Sequence, residues 1–198
     1  MRKTKKDTEI SRQNIIDAAK RIFCEKGYSA TKLEDIGKAV GMTRGVVYWH
    51  FKNKTELFQY LVENAITSID KLVDEVLSTK QPIVGKLQSL FLRSQENHEI
   101  VLLRSIVPEE KGAIRFRKYV DEKGKKIMTK IVKAFDEAKA KGEIQADTDT
   151  MSILGLLIIF MTGVDSAKRS VISIESNIEN IEGMTNIIFK GISSFQKK

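Results

Sequence analysis

The segment Thr31–Phe58, TKLEDIGKAVGMTRGVVYWHFKNKTELF, constrains the fold more than any other part of the chain. Thr31 and Glu34 have the spacing of a capping box, in which each side chain satisfies an orphan amide at a helix start. Leu33, Ile36, Ala39 and Val40 then fall on one helical face. Gly41 stops that helix, because glycine takes the left-handed conformation without steric cost. Thr43 is placed to cap a second helix from Arg44 to about His50. Asn53 and Glu56 repeat the cap spacing ahead of a longer helix from Lys54. Two short helices about a glycine turn make a helix-turn-helix, whose second helix enters the DNA major groove.

Charge points the same way. Residues 1–54 hold 13 Lys/Arg against 6 Asp/Glu, a net of +7, whereas the remaining 144 residues hold 21 against 20. Long-range attraction to phosphate is therefore concentrated on the segment that carries the motif.

The motif residues suit distinct tasks on DNA. Arg44 can fork onto guanine O6 and N7, or pair with a phosphate. Gly45 lets the helix backbone come close, and Val46 can meet a thymine methyl. Tyr48 and His50 carry donors suited to phosphate oxygens, which position a protein rather than read sequence. Thr31 and Thr43 supply hydroxyl and amide contacts at helix starts, with Lys32 beside them. Lys54, at a helix start, suits a phosphate anchor. Trp49, the one tryptophan, packs either on the DNA backbone or in the head's own core.

Gly27-Tyr28, Thr31, Ile36, Ala39, Gly41-Met42-Thr43, Gly45, Tyr48-Trp49-His50-Phe51, Lys54 and Leu57-Phe58 resemble the DNA-binding signature of the TetR family of bacterial regulators. The string TRGVVYWHFKNKTELF is most similar to the branch that controls multidrug efflux. The resemblance covers roughly residues 10–60. Beyond residue 60 it rests on length, helical character and two apolar C-terminal helices. It implies that Trp49 lies on the DNA, and that a helical ligand-binding and dimerisation domain follows the head.

The rest of the chain fits an all-α protein. It has two prolines, and 41% of its residues are apolar. The expected domains are a three-helix, homeodomain-like head over residues 1–54 and a helical domain over 55–198. Helices are expected from Thr8 or Ser11 to Lys26, Lys54 to Leu77, Pro82 onward, Ile100 to Val107 and Ile114 to Lys141. Two more run from a cap at Asp147 through Val164, and from Glu175 to Phe195. One cysteine, Cys24, excludes an internal disulfide and suits a reducing cytosol. The basic start has no apolar core after it. The most apolar run, Ile153–Met161, falls well short of the ~20 residues that span a bilayer. A cytoplasmic protein is expected.

In the C-terminal half, Phe91, Phe116, Tyr119, Met128, Phe135, Phe160 and Met161 are candidates to line a ligand pocket, against the alternative of ordinary core packing. Leu157, Met161, Ile178, Ile181, Ile188 and Ile192 are candidates for a homodimer interface. Two scattered histidines and one cysteine make no zinc site, and no catalytic constellation or phosphate loop is present, so neither an enzyme nor a cofactor is expected. Two readings remain. One is a repressor of a near-palindromic operator, released by a small hydrophobic or drug-like effector. The other is a DNA-binding dimer without a small-molecule ligand, constitutive or controlled by a partner protein.

Overall fold

The computed structural model describes residues 5–97, 100, 114–169 and 181–193, and these form eight helices and no strand. They are α1 Lys5–Ala30, α2 Leu33–Ala39, α3 Arg44–His50, α4 Lys54–Leu77, α5 Ile83–Glu96, α6 Ile114–Ala140, α7 Thr150–Arg169 and α8 Ile181–Ser193. Of the helix expected over 100–107 only Ile100 is described, and Ile178 lies outside the described residues. The described part divides into two compact units. One holds residues 5–67 and 114–121; the other holds 68–97, 100, 122–169 and 181–193. The division falls inside α4, not at its start.

The first unit is built on α1 to α3 and the first half of α4. Ile15, Ala19, Ile22 and Phe23 of α1 are buried with Ile36, Val47 and Phe58. Helical geometry breaks at Gly27 (φ 76, ψ 164), one residue past the expected helix end at Lys26. The chain then turns back, so the Tyr28 ring packs on Phe58 at 4.6 Å and on Phe23 at 5.7 Å.

That turn corrects the expected capping box. The Thr31 hydroxyl donates to the Gly27 carbonyl at 2.7 Å and is buried, so it closes the kink and does not cap α2. Lys32 takes the N-cap position, and its amide donates to the Asp35 carboxylate at 3.1 Å. The cap therefore sits one residue later than the spacing suggests. At α4 the expected signal holds. Asn53 Oδ1 accepts from the Glu56 amide at 2.9 Å, and the Glu56 carboxylate accepts from the Lys52 amide at 2.7 Å.

The α2–α3 turn runs through Gly41 in the left-handed region (φ 65), with the Met42 amide donating to Gly37 O at 2.9 Å. A Cβ on Gly37 would lie 2.8 Å from Val47 Cγ2. Only glycine lets these two helices meet so closely.

In the second unit, Val84, Leu87, Phe91, Phe135, Leu154 and Phe189 belong to one core. Lys130 of α6 donates to Asp70 at 2.6 Å and to Asp74 at 2.7 Å, joining α6 to the end of α4. Gly142 (φ 73) follows the end of α6, as expected. α7 is capped by Asp149, not Asp147: its Oδ1 accepts from the Met151 and Ser152 amides at 3.0 and 3.1 Å. No helix among the described residues is long and apolar enough to cross a membrane.

α7 is apolar on two faces. Ile153, Leu154, Leu157 and Val164 face the core, while Met151, Ile158 and Ile159 are 62%, 49% and 70% exposed. Of the candidate interface residues, four have described side chains. Leu157 and Ile192 are buried in the chain's own core, and Ile188 and Met161 pack against it. Ile181 lies in α8, but its side chain is not among those described. The apolar side chains that point outward include Met151, Leu156, Ile158 and Ile159 of α7 and, on α8, Ile187 at 73% exposed.

Gly37→Ala should destabilise the fold by about 1–3 kcal/mol, because the added methyl must displace β-branched Val47. Thermal unfolding of the two proteins checks this; equal midpoints would contradict the close approach of α2 and α3.

Candidate nucleic-acid interface

α3 sorts its residues between two faces. Val47 is fully buried and fixes the helix to the head, while Arg44, Gly45, Tyr48 and Trp49 are exposed. Trp49, at 70% exposure, lies outside the core. Its ring meets His50 edge-on at 4.7 Å. A Cβ on Gly45 would meet nothing within 4 Å, so the fold itself does not require glycine there. Thr43 occupies the N-cap of α3 without a side-chain cap bond and is exposed. Val46 is half-buried, and Lys32 is exposed beside α2.

Three expected contacts are turned inward. Thr31 is buried at the Gly27 kink, so its hydroxyl does not face a duplex. The Lys54 ammonium donates to the carbonyls of Tyr28 at 2.7 Å, Thr31 at 2.8 Å and Ser29 at 3.4 Å, and lies 4.2 Å from the Tyr28 ring centre. It neutralises carbonyls freed by the kink instead of reaching outward. The half-buried His50 has Nε2 2.8 Å from Ser11 Oγ. The Ser11 hydroxyl already donates to Thr8 O at 2.8 Å, so Nε2 must carry the proton and donate to Ser11. His50 thus ties the end of α3 to α1, and Lys54 ties the start of α4 to the kink.

The structure adds a residue that the sequence reading used only as a cap. The Glu34 carboxylate accepts from the Tyr48 hydroxyl at 3.1 Å, and the same oxygen lies 3.4 Å from Arg44 Nε. The Arg44 guanidinium sits 5.0 Å from the Tyr48 ring centre. A hydrogen bond involving the Glu34 backbone and the Tyr48 hydroxyl bond, in that order, hold the carboxyl below its ordinary pKa. The group is ionised at neutral pH. Nothing in residue spacing marks this cluster, because α2 and α3 meet through a turn whose angle depends on Gly37.

Five of the candidate pocket residues, Phe91, Met128, Phe135, Phe160 and Met161, belong to one core or pack against it. Phe91 and Phe160 stack at 5.0 Å, and Phe135 is buried in the same core, with Met128 and Met161 packed against it. Tyr119 lies in the other unit, its hydroxyl pKa raised by burial and then by Glu63. The Phe116 side chain is outside the described residues. A cleft of about 280 Å³ in the second unit is bordered by Asp74, Leu77, Lys86, Lys133 and Glu137, a charged lining unlike the apolar one expected.

Residues 15–61 match the family model described as bacterial regulatory proteins, tetR family. The chain is 46% identical over 71 residues to the HTH-type transcriptional regulator AcrR of Shigella flexneri, an alignment covering 36% of this chain and 33% of AcrR. The chain thus spans about a third of that relative's length. The solved ketosteroid transcriptional regulator KstR2 of Mycobacterium tuberculosis has the same fold, at TM-score 0.73 and 17% identity, covering 95% of this chain and 96% of that one. The SmeT–triclosan complex aligns at TM-score 0.65 and 21% identity, covering 92% and 91%. Residues 15–61 are thus similar to the tetR family, and a helical C-terminal domain follows them.

Lys54→Met should lower thermal stability by about 1–3 kcal/mol, since carbonyls at the kink lose a charged donor. The change in the salt slope of DNA binding should be small. A slope reduced by one unit at unchanged stability would restore the phosphate-anchor role.

Proposed function

We propose that the chain is a sequence-specific DNA-binding transcriptional regulator, a repressor released from its operator by a small hydrophobic or drug-like molecule. The observation that carries the DNA-binding part is the outward face of α3. It holds an exposed tryptophan, an exposed arginine and a glycine with open space above it. Exposed apolar surface of this kind suits a partner that approaches closely. The net charge of +7 over residues 1–54 makes that partner an anion. Likeness to AcrR supports the regulatory role, and the neighbour solved with triclosan supports a drug-like effector. A regulator of this kind acts in the cytoplasm, where the operator is.

Gly45→Ala separates fold from function. Alanine in an exposed helix position should raise stability by roughly 0.5–1 kcal/mol. The same methyl should weaken DNA binding by about tenfold or more, an affinity loss of ~1.4 kcal/mol. Unfolding and a gel-shift titration measure the two. Unchanged DNA affinity would remove the close approach from the account.

The protein works as a homodimer in this reading. Ile158 and Ile159 of α7 and Ile187 of α8 leave apolar surface that a second copy would cover. The operator is then a near-palindrome with half-sites about 34–36 Å apart or a multiple of that. Ile159→Glu combined with Ile187→Glu should give a folded monomer in sedimentation at micromolar concentration, whereas Leu157→Glu should fail to fold. A double variant that remains dimeric would place the interface elsewhere.

A second reading, a DNA-binding dimer with no small-molecule ligand, is favoured by the packing of Phe91 on Phe160. Calorimetric titration of a stabilising compound, with and without operator, decides between them. Coupling through α4, which runs unbroken from Lys54 to Leu77, should weaken the compound by about 5–150-fold when operator is bound. Equal affinity in both titrations would leave the second reading.

A further inference from the structure

A carboxylate on a DNA-facing surface repels phosphate, so Glu34 needs a reason to sit among basic residues. The geometry around it supplies one. Glu34 Oε1 lies 3.4 Å from Arg44 Nε, which is the inner nitrogen of the guanidinium. Neither outer nitrogen makes a hydrogen bond to the described residues, and the Arg44 side chain is 72% exposed. The plane is also braced on the Tyr48 ring, 5.0 Å away, and the Tyr48 hydroxyl donates to the same carboxylate oxygen at 3.1 Å. Carboxylate, ring and guanidinium form one closed set.

We propose that Glu34 is a positioning residue for base recognition, holding Arg44 by its inner nitrogen so that the two outer nitrogens meet the guanine edge. This rests on the reading of Arg44 as a base-reading side chain. An arginine free to rotate must lose its rotamer freedom on binding, and a fixed one has already lost it. The end-on fork needs both outer nitrogens in one plane, which a contact at Nε leaves free. The carboxylate also offsets the arginine's charge, so Arg44 gains less from an arbitrary phosphate. Fixing the fork strengthens the specific complex, and offsetting the charge weakens the non-specific one. The two effects have opposite signs, and this separates positioning from a purely structural role and from simple competition with DNA.

The test uses the full-length protein and two duplexes. One is the sequence that wild type recovers from a random 30-base-pair pool. The other is a scrambled duplex of the same composition. Glu34→Gln keeps an acceptor for Tyr48 and removes the charge. It should weaken the recovered duplex by about fivefold and tighten the scrambled one by about threefold at moderate salt. Tyr48→Phe, which removes the hydroxyl but keeps the ring, should weaken the recovered duplex by a smaller factor. Melting temperatures of both variants should stay near wild type. If Glu34→Gln tightens both duplexes alike, Glu34 merely competes with DNA and the proposal fails. If it weakens both alike with a lower melting temperature, its role is structural and the proposal fails. Arg44→Ala is measured alongside. Should it lower affinity for both duplexes equally, the base-reading role of Arg44 fails and the proposal with it. Should Arg44→Ala lose discrimination while Glu34→Gln keeps it, Arg44 reads DNA without Glu34, and the proposal alone is overturned.

Discussion

The contact between Gly37 and Val47 is the constraint on which the head depends. α2 and α3 approach so closely there that a single added methyl group would lie 2.8 Å from Val47. Val47 is fully buried, which fixes the rotation of α3 about its own axis. Once that rotation is set, helix periodicity leaves no choice for the neighbours. Arg44, Gly45, Tyr48 and Trp49 must face outward, and the side chain at 47 must face in. A helix of seven residues has little stability of its own. Its placement comes from this packing, from Gly41 in the turn and from the His50–Ser11 bond at its far end.

The second requirement is that the kink after α1 be held shut. Turning the chain back at Gly27 exposes carbonyls that a continuous helix would satisfy. Lys54, at the start of α4, reaches across and donates to three of them, with Tyr28 packed beneath its ammonium. The first residue of α4 is thereby locked to the last turn of α1. A lysine near a DNA-facing helix start suggests a phosphate contact. A cation surrounded by carbonyl oxygens is instead a structural brace.

Much of the architecture was legible because it rests on local chemistry. Gly41 takes positive φ where the sequence places a stop, Gly27 and Gly142 do so one residue past the expected helix ends at Lys26 and Lys141, and Asn53 caps α4. Periodicity identified the helices but not their partners. Thr31 and Glu34 have the spacing of a capping box, yet Lys32 and Asp35 form the cap, because Thr31 is drawn to the Gly27 carbonyl. No local rule sees that competitor. The expected subunit interface meets a similar limit. α7 is apolar on two sides, and a pattern of apolar residues does not say which side the chain uses for itself. Its own core took Leu157, and α8 gave it Ile192, which left Ile158, Ile159 and Ile187 outside. The aromatic residues offered as pocket lining are subject to the same ambiguity: Phe91 and Phe135 are in the core, with Phe160 packed against it.

The central claim is that α3 presents its outward face to a duplex, and Trp49 reports on that face directly. It is the single tryptophan in the chain and is 70% exposed, so its fluorescence comes from one site on the recognition helix. The measurement is acrylamide quenching of Trp49 during titration with the duplex that the protein selects. The account predicts that quenching falls as DNA is added and levels off at one or more whole dimers per duplex, with the emission moving to shorter wavelength as water leaves the indole. Quenching and emission that stay constant while DNA binds by gel shift would show that the duplex lies elsewhere on the protein and would contradict the account.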